Sequence, residues 1–229
     1  MSEKEEYLRK YNKDVRMICE GIEELLEIPE SWREILREAD FAIKKSKMLS
    51  LWRLYASPAL SNTIQYLEEN LKNLELIQYR DKYSLLYTIK AANGSVSYYE
   101  GRNPMGRRMP EELQDCWKEL PPTIQAFYEN LHDGFFYYAS ESMGLLPLQD
   151  VVVFDDEDWG ILEELEEPLQ LDLKSTFGLF ASGMGGYVAV DASDCRNDNA
   201  TLWYTNRQPR YHINFWDVVD EWIVIGFQG

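Results

Sequence analysis

Histidine and cysteine are nearly missing from this sequence, with two of the first and three of the second in 229 residues. Cys19, Cys116 and Cys195 lie far apart and are odd in number, and no CxxC or Cys/His pairing is present. That argues against a zinc site or a disulfide framework and for free, mostly buried thiols in a reducing compartment. His132 and His212 do not form a paired-histidine metal motif, and there is neither a nucleophile elbow nor a P-loop. Long apolar runs are also lacking. The longest uncharged stretch, Ser175 to Val190, holds four glycines and is too short to span a bilayer. The opening MSEKEEYLRK has no apolar core of a signal peptide, so a soluble, cytoplasmic protein is expected.

Basic residues are what the second half lacks. Through Met109 there are 17 acidic and 18 basic residues; from Pro110 onward there are 23 and 5, and the whole carries −17. A charge boundary at one place predicts two units, 1–109 and 110–229. So large an anionic excess works against the compact state; its functional reading is a basic partner, and the alternative is a plainly solvated surface. Nucleic acid is disfavoured as a ligand, because neutralising phosphates needs a basic stripe. The aromatic content of 14%, with 7 Trp and 15 Tyr, excludes a disordered chain.

The N-terminal third reads as helical. Tyr7, Leu8, Tyr11, Val15, Ile18, Ile22, Leu25 and Leu26 recur at helical steps until Pro29. Ser31 and Glu34 form a capping-box start for a second helix, and Pro58 breaks the chain again. A third stripe runs through Leu60, Ile64, Leu67, Leu71 and Leu74. The period then changes: Tyr83 to Ala91 and Ser95 to Glu100 flank Asn93-Gly94, which predicts a β-hairpin over 83–100. Gly101 to Met109 has no periodicity and reads as a linker or exposed loop.

Pro110 and Pro121-Pro122 open two short helices, the second ending at Asp133-Gly134. Strands are expected at Phe135 to Ala139, Leu145 to Phe154, Phe177 to Ser182, Tyr187 to Asp191 and Thr201 to Thr205. Between Asp155 and Glu167 stand eight carboxylates and no cation, which suits a short helix with an acidic outer face. A closing helix is expected over Phe215 to Phe227. Asp191, Asp194 and Asp198 are spaced somewhat like a calcium loop, but Cys195 and Arg196 stand where a ligand and a glycine are needed. The glycines of GMGG read as a turn between strands.

The order of motifs after Pro110 resembles the SUKH superfamily, which includes yeast cell-wall synthesis regulators and many bacterial immunity proteins. Leu120-Pro121 leads a helix bearing Ile124, Phe127 and Tyr128 and ending at Gly134. Gly144-Leu145-Leu146-Pro147-Leu148 follows, then Phe180-Ala181-Ser182-Gly183-Met184-Gly185-Gly186-Tyr187-Val188-Ala189-Val190-Asp191, then an aromatic-led closing helix. His132-Asp133-Gly134 stands where the family more often has an Asn-Gly turn, and the first hundred residues have no counterpart in it.

The resemblance implies an α+β fold, a mixed or antiparallel sheet flanked by helices, and a binding role without a common catalytic centre. The expectation is therefore an immunity protein, neither enzyme nor cofactor-dependent, that occludes a basic toxin domain. Its partner-binding residues would be Asp155, Asp156, Glu157, Asp158, Glu163, Glu164 and Glu167 for charge, Trp159 as the aromatic anchor, and Asp191 and Asp194 at the rim. The alternative is a scaffold or regulatory module of the same fold.

Overall fold

Asn93-Gly94 lies in the turn that joins two strands of one continuous antiparallel sheet; Gly94 takes φ 87°, its amide donates to the Ala91 carbonyl at 2.9 Å, and the Ala91 amide donates to the Ser95 carbonyl at 2.9 Å. The computed structural model describes residues 3–228. Its elements in chain order begin with α1 (Glu3–Tyr11), β1 (Val15–Ile18), α2 (Glu30–Leu36), α3 (Phe41–Ala56) and α4 (Ser61–Asn70). Three long strands follow: β2 (Leu71–Tyr79), β3 (Lys82–Lys90) and β4 (Val96–Arg102). Next come α5 (Glu111–Cys116), α6 (Pro122–Ala126) running into a π-turn, β5 (Phe135–Tyr137), β6 (Met143–Leu145) and β7 (Val152–Val153). The chain closes with β8 (Thr176–Ser182), β9 (Gly186–Asp191), β10 (Asn199–Tyr204), β11 (Arg207–Asn214) and α7 (Phe215–Gln228). The fold class is α+β, as expected.

The eleven strands make one sheet in the order β1-β2-β3-β4-β5-β6-β8-β9-β10-β11, with β7 also on β8. The charge boundary at Met109 falls within this sheet, because β4 pairs with β5 through Tyr99↔Tyr137 and Gly101↔Phe135. Strand periodicity sorts the side chains onto two faces. Leu85, Tyr87, Ile89, Tyr99, Phe135, Phe180 and Val188 point toward α2, α3, α4, α6 and α7, building the main core from both halves of the chain. Trp52 lies at its centre, donating from Nε1 to the Tyr87 hydroxyl at 3.0 Å and meeting Phe135 edge-on at 5.0 Å. Asp220 of α7 accepts the Asn62 and Thr63 amides at 2.9 and 2.7 Å, capping α4 from another helix.

Several expected elements differ. The first helical stripe does not run to Leu26: α1 ends at Tyr11, and Val15–Ile18 pairs with β2 as an edge strand. Its β-branched residues suit a strand as well as a helix. Likewise α4 stops at Asn70, and Leu71 and Leu74 enter β2, where both are buried. The helix begun near Ser31 breaks after Leu36 and restarts at Asp40, whose carboxylate caps Ala42 N at 2.7 Å. Pro147 interrupts the strand expected over Leu145 to Phe154. The three cysteines are free, but only Cys195 is buried. His132 is fully enclosed, and His212 is exposed at φ 56°.

Candidate functional site: an acidic ridge and the trough beside it

The sheet face opposite the helices is covered at its two ends. At one end α1 lies over β1–β4, where Leu8 meets Val15, Ile77, Leu86 and Tyr138. At the other end the chain after β7 folds across β9 and β10. Phe154, Trp159 and Ile161 are buried there against Ala189 and Trp203, with Leu162, Leu165, Leu169, Leu171 and Leu173 packed around them. This segment is two short 3-10 turns, Phe154–Asp156 and Gly160–Glu164, rather than the expected helix. Apolar side chains take every inward position, so the carboxylates between them are forced outward. Asp155, Asp156, Glu157, Asp158, Glu163, Glu164, Glu166 and Glu167 are all exposed.

The ridge is held firmly for so irregular a backbone. Trp159 Nε1 donates to the Phe154 carbonyl at 2.9 Å, closing the loop that carries the first four acids. Gln208 of β11 clamps the second group, donating to the Glu164 carbonyl at 2.8 Å and accepting the Glu166 amide at 3.1 Å. No ridge carboxylate is within ion-pair distance of a cation among the described residues.

Trp159 does not stand at the surface. It was expected as a surface anchor because it stands among acids, but it is 6% exposed and packs edge-on against Trp203 at 5.5 Å. It supports the ridge from beneath. Asp191 also works internally. It accepts from Asp172 N, Ser175 Oγ, Ser193 N and Ser193 Oγ at 2.7–2.9 Å, and these bonds help hold its carboxyl below the usual range, against burial, which pushes it up. Asp194 is exposed beyond it and accepts from Asn199 at 3.2 Å. No group of three or more His, Cys, Asp or Glu among the described residues is placed to hold a metal ion.

Between α1 and the ridge the sheet face is left open as a trough, and Arg102 stands in it. The register Ser84↔Arg102 and Leu86↔Glu100 puts Ser84, Glu100 and Arg102 on this face. Arg102 lies between Glu100 at 3.4 Å, Glu141 at 3.4 Å and Asp150 at 2.9 Å, with its guanidinium 5.0 Å from the Phe136 ring centroid. Burial raises the Glu100 pKa above the usual carboxylate range, and Arg102 with the Ser84 hydroxyl holds it part of the way down. Burial works against the Arg102 charge too, but the three carboxylates outweigh it and leave the guanidinium more firmly protonated than usual. Arg102 ends β4, although the aperiodic stretch Gly101 to Met109 reads as a loop in the sequence. The alternation Tyr98, Glu100, Arg102 was the available signal that the strand continues through it.

Behind the trough, His132 accepts or donates at Nε2 to the Tyr87 hydroxyl at 2.7 Å, while Nδ1 is buried without a partner. Burial lowers its pKa to about 3, so the ring is neutral. Neighbouring Asp133, which accepts the Leu148 amide at 2.9 Å, is raised to about 6, also by burial. Among the described residues, no helix is long and apolar enough to cross a membrane. No protein-family model, curated protein or solved structure matches this chain.

Proposed function

We propose that this chain is a cytoplasmic immunity protein of the SUKH type that neutralises a basic, secreted toxin domain by direct occlusion, without catalysis. One observation carries the reading: eight exposed carboxylates without an internal counter-ion, fixed on a buried aromatic footing. Such an array repels itself, a standing cost that a cationic partner removes. Its charges steer the encounter and set register, while desolvated contacts beside them set the lifetime of the complex. A toxin that acts on a polyanion presents a cationic cleft, and the ridge is the complementary shape in charge.

Co-expression with a candidate basic toxin domain from a neighbouring gene tests the proposal. Wild type is expected to restore growth and to co-purify with the toxin. A chain carrying Asp155→Lys, Asp156→Lys, Glu163→Lys and Glu164→Lys is expected to do neither while remaining folded. Protection by the reversed chain equal to wild type would refute the role of the ridge.

A further inference from the structure

The ridge carries no protruding aromatic, so a contact that outlasts the encounter must come from elsewhere on this face. A cavity of about 420 Å³ opens between the ridge and Arg102. We propose that it is the socket for one basic side chain, an arginine or lysine, on the partner's surface. This rests on the basic-partner reading above and deepens it.

The walls are apolar or aromatic: Phe136, Val152, Ala181 and Tyr187 line it. The rim carries Glu141 and Asp150, whose side chains are 55% and 48% exposed. Arg102 is the one cation among the lining residues, and Glu100, Glu141 and Asp150 already surround it, leaving negative charge in excess. An anionic guest would face that excess. A neutral apolar guest would strip water from the rim carboxylates and give nothing back. A long side chain with an apolar stem and a cationic head satisfies both parts, methylenes on the rings and head on the rim. Arg102 lies 5.0 Å from the Phe136 ring centroid, between the same carboxylates, as an example of this chemistry inside the molecule.

The lip points the same way. Gly183 and Gly185 line the cavity at φ 78° and 76°, and the residue they hold out between them, Met184, is 90% exposed. A flexible thioether in full contact with water suits an interface that re-packs around an inserted side chain. Tyr187 joins socket to ridge, its ring centroid 5.9 Å from that of Trp159. A partner drawn to the ridge arrives beside the socket.

Methyl NMR of the full chain, titrated with Nα-acetyl-arginine N-methylamide and with its uncharged citrulline counterpart, tests this. Shifts are expected at Met184, Val152 and Ala181, with the citrulline probe binding about tenfold more weakly, as for loss of one desolvated charge contact. Glu141→Gln, on an exposed side chain, is expected to weaken arginine binding about 5–10-fold, whereas Asp217→Asn on α7 leaves it unchanged. Equal response to both probes, or shifts confined to other methyls, would overturn the socket. The ridge-reversed chain separates the two proposals. If it still binds the arginine probe, the socket stands whatever the ridge does. If Glu141→Gln leaves the toxin complex intact while ridge reversal abolishes it, the socket is wrong and the immunity reading survives.

Discussion

Asp133→Asn gives the sharpest test of how the core beneath the trough is charged. The Asp133 carboxyl is 6% exposed and its pKa is raised from 3.8 to about 6. A group raised on folding favours the folded state fully below pH 3.8, and that contribution is lost as pH rises through 6. The shift corresponds to about 3 kcal/mol lost by neutral pH, at ~1.4 kcal/mol per unit. Asparagine keeps the oxygen that accepts the Leu148 amide and never ionises. Urea unfolding is therefore expected to find the variant more stable than wild type by about 3 kcal/mol at pH 7.5, with the gap closing below pH 4. His132 adds the contrast. Its pKa falls from 6.5 to about 3, so its contribution is complete above pH 6.5 and lost as pH drops. In wild type the two groups offset one another between pH 6.5 and 4; in the variant only the histidine remains, and stability falls by about 3 kcal/mol over that range. A difference between the two proteins that does not change with pH, or a variant less stable at pH 7.5, would refute the assignment of Asp133, and a variant whose stability does not fall between pH 6.5 and 4 would refute that of His132.

Three further outcomes follow from packing. Trp159→Ala is expected to cost about 3–5 kcal/mol in chemical unfolding, because it empties the footing of the ridge; a loss under 1 kcal/mol would put the ring at the surface after all. Gly101→Ala would set a Cβ 2.5 Å from the His132 ring, with an expected cost of about 1–3 kcal/mol by the same measurement. Asp220→Ala uncaps α4 and leaves the Asn62 and Thr63 amides unpaired, with an expected cost of about 2 kcal/mol and faster amide exchange in the first turn of α4.

Local chemistry was legible wherever one conformation alone satisfied it. Asn93-Gly94 left few options but a hairpin, and the apolar face of Phe215 to Phe227 had the length to be nothing except a helix. Val15–Ile18 and Leu71–Leu74 were ambiguous because short apolar repeats fit both periods, and pairing with distant strands decided them. The ridge was readable as charge but not as shape. Runs of acids name the outward positions, yet only the tertiary fold shows that Trp159 faces in and that Asp191 is spent on a turn. Arg102 has no signature in the sequence because its three carboxylates come from β4 and from two loops far along the chain. Such a site has no spacing to read.

If the ridge draws in a cationic protein, as proposed, stopped-flow association with the purified toxin domain from low to high ionic strength reads it out. Wild type is expected to associate rapidly at low salt and to slow steeply as salt rises, while the four-lysine ridge variant associates slowly at every salt concentration. An association rate that ignores salt in wild type, or that the ridge reversal leaves untouched, would show that the ridge does not steer the encounter.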